Sequence, residues 1–230
     1  APYQVKAYAI ASSKAAICIA EGTEIIDRYA FFRAKNITTV AFPDTLREIK
    51  EETFFECKGL EELSIPDNVE SLGDRSFYGC SSINKVSIGA GLQNFGLRVF
   101  FGCSALQTIE VTEANIYFDA VDNIIYDKGH THLYYYMSTK GDEAYHIPDT
   151  VESISGYAID GVPALKELYM PQNLNSIAGN AINANANLDS IYFLSDAPSE
   201  VSGNSISGNA SDLVIFRSPS SSGWDVSPWT

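Results

Sequence analysis

Basic residues are scarce in this chain: 15 Lys+Arg stand against 29 Asp+Glu, for a formal charge of −14. That balance repels phosphate backbones and anionic lipid, so neither nucleic acid nor a membrane surface is an expected partner. Long apolar runs are also missing. No stretch reaches the roughly 20 apolar residues that a bilayer-spanning helix needs, so no membrane insertion is expected. The four cysteines show no C-x-x-C spacing and are too few for a disulfide-built scaffold. The sequence holds only three histidines, and it lacks a Gly-rich phosphate loop, a nucleophile elbow and a paired-carboxylate signature. These gaps leave no cofactor, metal or catalytic centre to expect. What is present is 45% hydrophobic content with 19% charge, enough for a packed core and too apolar for disorder.

The apolar content is periodic. A pattern of apolar-x4-Phe-x2-Cys-x2-Leu-x2-Val-x-Ile-Pro recurs, and its opening residues Ile26, Ile49, Leu72, Phe95 and Phe118 lie 23 apart. Ile154 and Ile177 resume the same step after an interval of 36 residues, which marks an insertion. One column is filled by Phe31, Phe54, Phe77, Phe100, Ile159 and Ile182, and a second includes Leu60, Leu106, Leu165 and Leu188. Two further columns alternate across one polar position, as a half-buried strand does, and Pro43, Pro66, Pro148 and Pro171 end that strand.

A unit this short cannot bury its own apolar columns, whereas stacked copies form one continuous core. The expected architecture is an α/β repeat solenoid of about seven rungs, each about 4.8 Å from the next and each with one short parallel strand. The segments between columns are too short for full helices, so helical or 3-10 turns are expected on the opposite wall.

The stretch from Leu60 to Ser82, LEELSIPDNVESLGDRSFYGCSS, resembles the BspA-type leucine-rich repeats of bacterial surface proteins, and the likeness runs from about Ile17 to Pro198. The insertion around Val121 to Tyr136 resembles the hairpin-bearing unit those proteins often carry. The resemblance implies a right-handed solenoid and a secreted or cell-surface binding protein, adhesin-like, that recognises a host or matrix protein or a glycan. It implies no catalytic residues. A bacterial extracellular location with the signal peptide removed is therefore expected, as is a monomer. The alternatives are a structural spacer within a larger surface protein and a metal-dependent enzyme built on the histidine hairpin.

The expected organisation is a solenoid over residues 1–198 and a C-terminal cap over residues 199–230. Within the solenoid lie an N-terminal cap (1–25), repeats (26–118), the hairpin-bearing unit (119–153) and further repeats (154–198). Trp224 and Trp229 are expected to pack on the last rung.

Three clusters are candidate chemistry. Cys57, Cys80 and Cys103 share one column that fills the inner wall; they are expected as free thiols, because aligned Cβ atoms about 4.8 Å or more apart do not suit a disulfide, and as no metal site, because parallel side chains do not converge. His130, His132 and His146, near Asp127 and Asp142, match no metal-ligand spacing and read as surface residues of the hairpin. The polar position between the last two strand columns points outward on the expected concave face. It holds Ala41, Ser64, Ser87, Glu110, His146, Tyr169 and Tyr192, changing from small residues to aromatics. Tyrosine supplies rigid contact area at low entropic cost, so the expected ligand-binding face is Glu110, His146, Tyr169 and Tyr192 with Tyr134, Tyr135 and Tyr136 as its rim.

Overall fold

A computed structural model describes residues 3–5 and 15–225 of the chain, in two compact units that divide between Asn123 and Ile124. Trp229 and residues 1–2 and 6–14 of the expected N-terminal cap lie outside the described residues.

In the first unit the period becomes a coiled path with three walls. The first wall holds the strands that the alternating columns require: Glu62–Ile65, Lys85–Ile88 and Thr108–Val111 pair in parallel, with Leu63 opposite Val86 and Val86 opposite Ile109. Ala15–Cys18 pairs in parallel with Ile37–Ala41, so a rung forms ahead of the first full repeat. The second wall stacks Thr23–Ile26, Glu48–Ile49, Ser71–Leu72 and Asn94–Phe95, again in parallel.

The third wall departs from expectation. Helical or 3-10 turns were the expected form, but no helix of either kind occurs among the described residues. Each coil instead carries two left-handed residues four positions apart: Tyr29 and Arg33, Glu52 and Glu56, Arg75 and Gly79, Arg98 and Gly102. Such a residue interrupts the consecutive right-handed dihedrals of a helix and costs a non-glycine about 1–2 kcal/mol. It also turns alternate N–H groups toward the next coil. Phe31 N–H donates to Thr53 O at 2.9 Å, Phe54 N–H to Ser76 O at 2.8 Å and Phe77 N–H to Val99 O at 3.2 Å. The wall is thus a ladder between coils, and its hydrogen bonds replace those a helix would make within itself.

Inside these walls Phe31, Phe54, Phe77 and Phe100 form a continuous stack, with successive centroids 4.8, 5.2 and 6.0 Å apart. All four are fully buried, and each contributes roughly 1.5–3 kcal/mol of hydrophobic free energy. Cys57, Cys80 and Cys103 stand behind the stack as free thiols. Each S–H donates to a carbonyl of the turn wall: Phe31 O at 3.0 Å, Phe54 O at 3.1 Å and Phe77 O at 3.4 Å. Burial pushes the Cys80 thiol well above its usual range and raises Cys103 to about 12.

The second unit opens with an antiparallel hairpin, Ile124–Asp127 against His132–Tyr136. The outer strand of that hairpin also serves as a rung, pairing in parallel with Ser153–Ile154, which is followed by Ser176–Ile177 and Glu200–Val201. Its ladder wall comprises Ala144–His146, Glu167–Tyr169, Ser190–Phe193 and Val214–Arg217. The third wall is strand: Ile159–Asp160, Ile182–Asn183 and Ile206–Ser207. Residues 200–217 thus continue all three walls for a further coil, at a spacing of 24 instead of 23 (Ile177 opposite Val201, Ile191 opposite Ile215). Asn185 takes over the cysteine position, its amide donating to Ile159 O at 3.1 Å. Trp224 is buried with its ring edge-on to Phe193 at 4.9 Å.

Candidate binding face

The register fixes which side chains leave the ladder wall. In the first unit Cys18, Ala41, Ser64, Ser87 and Glu110 fall in one outward column, since Cys18 stands opposite Ala41 and Ser64 opposite Ser87, which in turn faces Glu110. Small side chains there leave a polar trough of about 650 Å³ lined by Asp44, Ser64, Asp67 and Ser87. Glu110 closes that series with an ion pair to Lys85 at 2.9 Å.

In the second unit the same column is aromatic. His146 lies opposite Tyr169, Tyr169 opposite Tyr192 and Tyr192 opposite Phe216. Rung spacing brings the rings into face-to-face contact, with centroids 3.9, 4.5 and 4.9 Å apart and planes within 12°. The two tyrosines have both faces closed by their neighbours, so along the middle of the stack ring edges and hydroxyls are what is left to a partner. Tyr169 donates its hydroxyl to Glu167 Oε2 at 2.8 Å, and this bond, followed by slight desolvation, raises its pKa. Apolar surface continues at Val214, Phe216 and Leu194, which are 47%, 45% and 60% exposed.

The expected hairpin rim is corrected. Tyr135 and Tyr136 are buried in the second unit. Tyr136 rests on Tyr145 at 4.8 Å and donates its hydroxyl to Asp142 Oδ2 at 3.1 Å, so its polar end is satisfied without water. The hydroxyls of Tyr126 and Tyr145 bond each other. Tyr134 stays partly exposed beside His132, on the sheet of Ser153–Ile154 and not on the sheet of the aromatic ladder.

The three histidines do not converge. His146 belongs to the ladder, His130 lies against the Tyr126 ring, and His132 bonds Ser155 Oγ through Nε2 at 2.7 Å and Ser153 Oγ through Nδ1. Asp127 accepts from the backbone N–H groups of Thr131 and His132, so it does not orient the His132 ring as a catalytic relay requires. Burial lowers the His132 pKa against a smaller opposing effect of Asp127. Among the described residues no group of three or more His, Cys, Asp or Glu is placed to hold a metal ion.

Phe216 and Cys18 extend the outward column beyond the residues named from the sequence, although Cys18 stands a full period of 23 before Ala41. Phe216 escapes a strict step of 23 because the last coil is one residue longer, although the strand-like apolar run Leu213-Val214-Ile215-Phe216 is a usable signal.

Parallel strands stacked coil on coil, with one apolar side chain per column per turn, define the leucine-rich-repeat class of solenoid. The model of the BspA type leucine rich repeat region matches residues 5–123 and 132–214, and the chain belongs to that family. No curated protein sequence matches it significantly. Its fold is similar to that of a leucine-rich repeat protein from Eubacterium ventriosum (TM-score 0.73, 17% identity), covering 89% of this chain and 54% of that one. The chain thus spans about half the length of that protein. It is also similar to the pneumococcal vaccine antigen PcpA (TM-score 0.65, 20% identity), covering 93% of this chain and 67% of that one.

Proposed function

We propose that this chain is a non-catalytic recognition module displayed outside a bacterial cell, and that it takes a protein ligand on the aromatic ladder of its second unit. The observation that carries the reading is the stack of His146, Tyr169, Tyr192 and Phe216 on the outward side of a sheet whose inward columns already supply the core. Cross-strand packing explains why the rings touch. It does not by itself explain the exposed apolar side chains of Val214 and Leu194 nearby in the chain.

Closed ring faces favour a polypeptide over a glycan. A sugar ring packs against an open aromatic face, whereas ring edges and phenol hydroxyls suit carbonyls and apolar side chains. The family and the pneumococcal antigen among its structural relatives support export. The test is binding measured by surface plasmon resonance to the proteins retained in a matrix-protein screen. Tyr169→Ala and Tyr192→Ala should each weaken a retained interaction by roughly 1–3 kcal/mol, with Ser64→Ala near neutral. Equal binding by the folded tyrosine variants removes the ladder from the function, and a screen that retains nothing favours a spacer role.

A further inference from the structure

The turn wall of the first unit carries a second aromatic ladder. Phe32, Phe55, Tyr78 and Phe101 stand one position after the buried phenylalanine column, with successive centroids 5.0, 4.7 and 5.2 Å apart. None of the four is buried, and Phe32 is 37% exposed. Tyr29 adds its ring edge-on to Phe32 at 5.6 Å. Guanidinium groups lie over the two terminal rings, Arg33 at 5.1 Å from Phe32 and Arg98 at 4.9 Å from Phe101.

Charge is segregated onto the same wall. Within residues 15–123, the wall segments 27–36, 50–59, 73–82 and 96–105 carry seven Lys or Arg and five Asp or Glu, whereas the remainder carries two and twelve. The acidic members Glu51, Glu52 and Glu56 are held by cations of neighbouring coils: Arg28 at 2.6 Å, Arg75 at 2.8 Å and Arg33 at 3.1 Å. A wall of slight positive excess therefore stands on an otherwise acidic unit. Beyond about 8 Å salt screens the rest of the chain, so a docked partner meets the wall's own charges.

We infer that this wall is a docking surface for an acidic polypeptide segment that also carries aromatic or aliphatic side chains. Carboxylates would meet the Arg groups and the electropositive ring edges, while the apolar side chains would cover the half-exposed stripe. A polyanion without apolar groups finds only a small excess of charge, because five of the seven cations are already in ion pairs within the wall. This surface belongs to the first unit and is independent of the tyrosine ladder proposed for ligand recognition.

The experiment uses the full chain and three probes: a random copolymer of glutamate and tyrosine, polyglutamate, and dextran sulfate, each measured by biolayer interferometry. The copolymer should bind and lose affinity as salt rises, with polyglutamate and dextran sulfate at least tenfold weaker. The double variant Arg33→Glu, Arg98→Glu should weaken the copolymer at least tenfold. It introduces a residue that both columns already accept, at Glu56 and Glu52. If that variant does not fold by circular dichroism, Arg33→Gln with Arg98→Gln replaces it and should weaken binding severalfold. Equal binding of copolymer by the folded variant overturns the inference, as does no binding by the parent. Dextran sulfate binding as well as the copolymer overturns it in favour of an anionic glycan.

Discussion

Tyr192 stacks on Phe216 with ring centroids 4.9 Å apart and planes within 11°, although the two stand 24 positions apart in a chain whose repeat is 23. The added residue lies in the path between walls, since Ile177 opposite Val201 already shows the longer step while Ser190 to Phe193 pair with Val214 to Arg217 without interruption. Sheet register therefore governs the outward column more strictly than sequence spacing does. Both aromatic ladders follow from that rule, because an aromatic repeated in a column of parallel rungs has no other neighbour as near.

The buried phenylalanine stack should dominate the stability of the first unit. Phe77 lies between Phe54 at 5.2 Å and Phe100 at 6.0 Å with no exposure. Phe77→Ala should cost about 3–5 kcal/mol in urea unfolding, because coils held by inter-coil hydrogen bonds cannot close on the cavity. A loss under about 1 kcal/mol would mean that the column is not enclosed.

Close approach of coils gives a second expectation. A Cβ on Gly73 would sit 2.5 Å from the backbone nitrogen of Glu51, whereas one on Gly141 would meet nothing within 4 Å. Gly73→Ala should lower stability by about 1–3 kcal/mol and Gly141→Ala should leave it nearly unchanged, both read from thermal melts.

The thiols should divide by burial. At mildly alkaline pH only Cys18, the exposed one, should react with a thiol reagent in the folded protein, and all four should react after denaturation without reductant. Because burial raises the folded pKa of Cys103 to about 12 from an ordinary 9.0, the folded state holds its proton longer than the unfolded chain does. Stability should be full below the ordinary thiol value and fall as pH rises toward the folded one. Fast reaction of any buried thiol in the native state would contradict this.

His132 reverses the sign. Its pKa is lowered from 6.5 by burial, so the unfolded chain takes up a proton more readily than the folded one. Stability should therefore be full above the ordinary histidine value and decline as pH falls through it toward the folded pKa. Urea unfolding at about pH 5 and pH 7.5 should show the loss, and His132→Gln should flatten the dependence between them.

Much of this was legible in the sequence. The period of 23 gave seven of the nine ladder-wall rungs among the described residues, missing those at Ala15–Cys18 and Val214–Arg217, with the phenylalanine and cysteine columns and three members of the outward ladder, because a stacked coil restates its inside and outside at fixed positions. The turn wall was not legible. Its left-handed residues include Tyr29, Arg33, Glu52 and Arg75, types that carry no local signal for that conformation, and only the ladder between coils makes it favourable. The tyrosine run failed for another reason. Tyr134 faces outward, but Tyr136 is drawn inside by partners 6 and 9 residues further on, Asp142 and Tyr145, which composition does not reveal.

The account's central claim is that the second unit's outward aromatics, set by the repeat, recognise a protein partner. The most direct measurement probes an array of matrix proteins and glycans with the parent chain and with a Tyr169→Ser, Tyr192→Ser variant shown to be folded by its melting curve. The account predicts that the parent marks protein spots and that the variant fails to mark the same ones. Variant signals equal to the parent's, or parent signals confined to glycans, would contradict it.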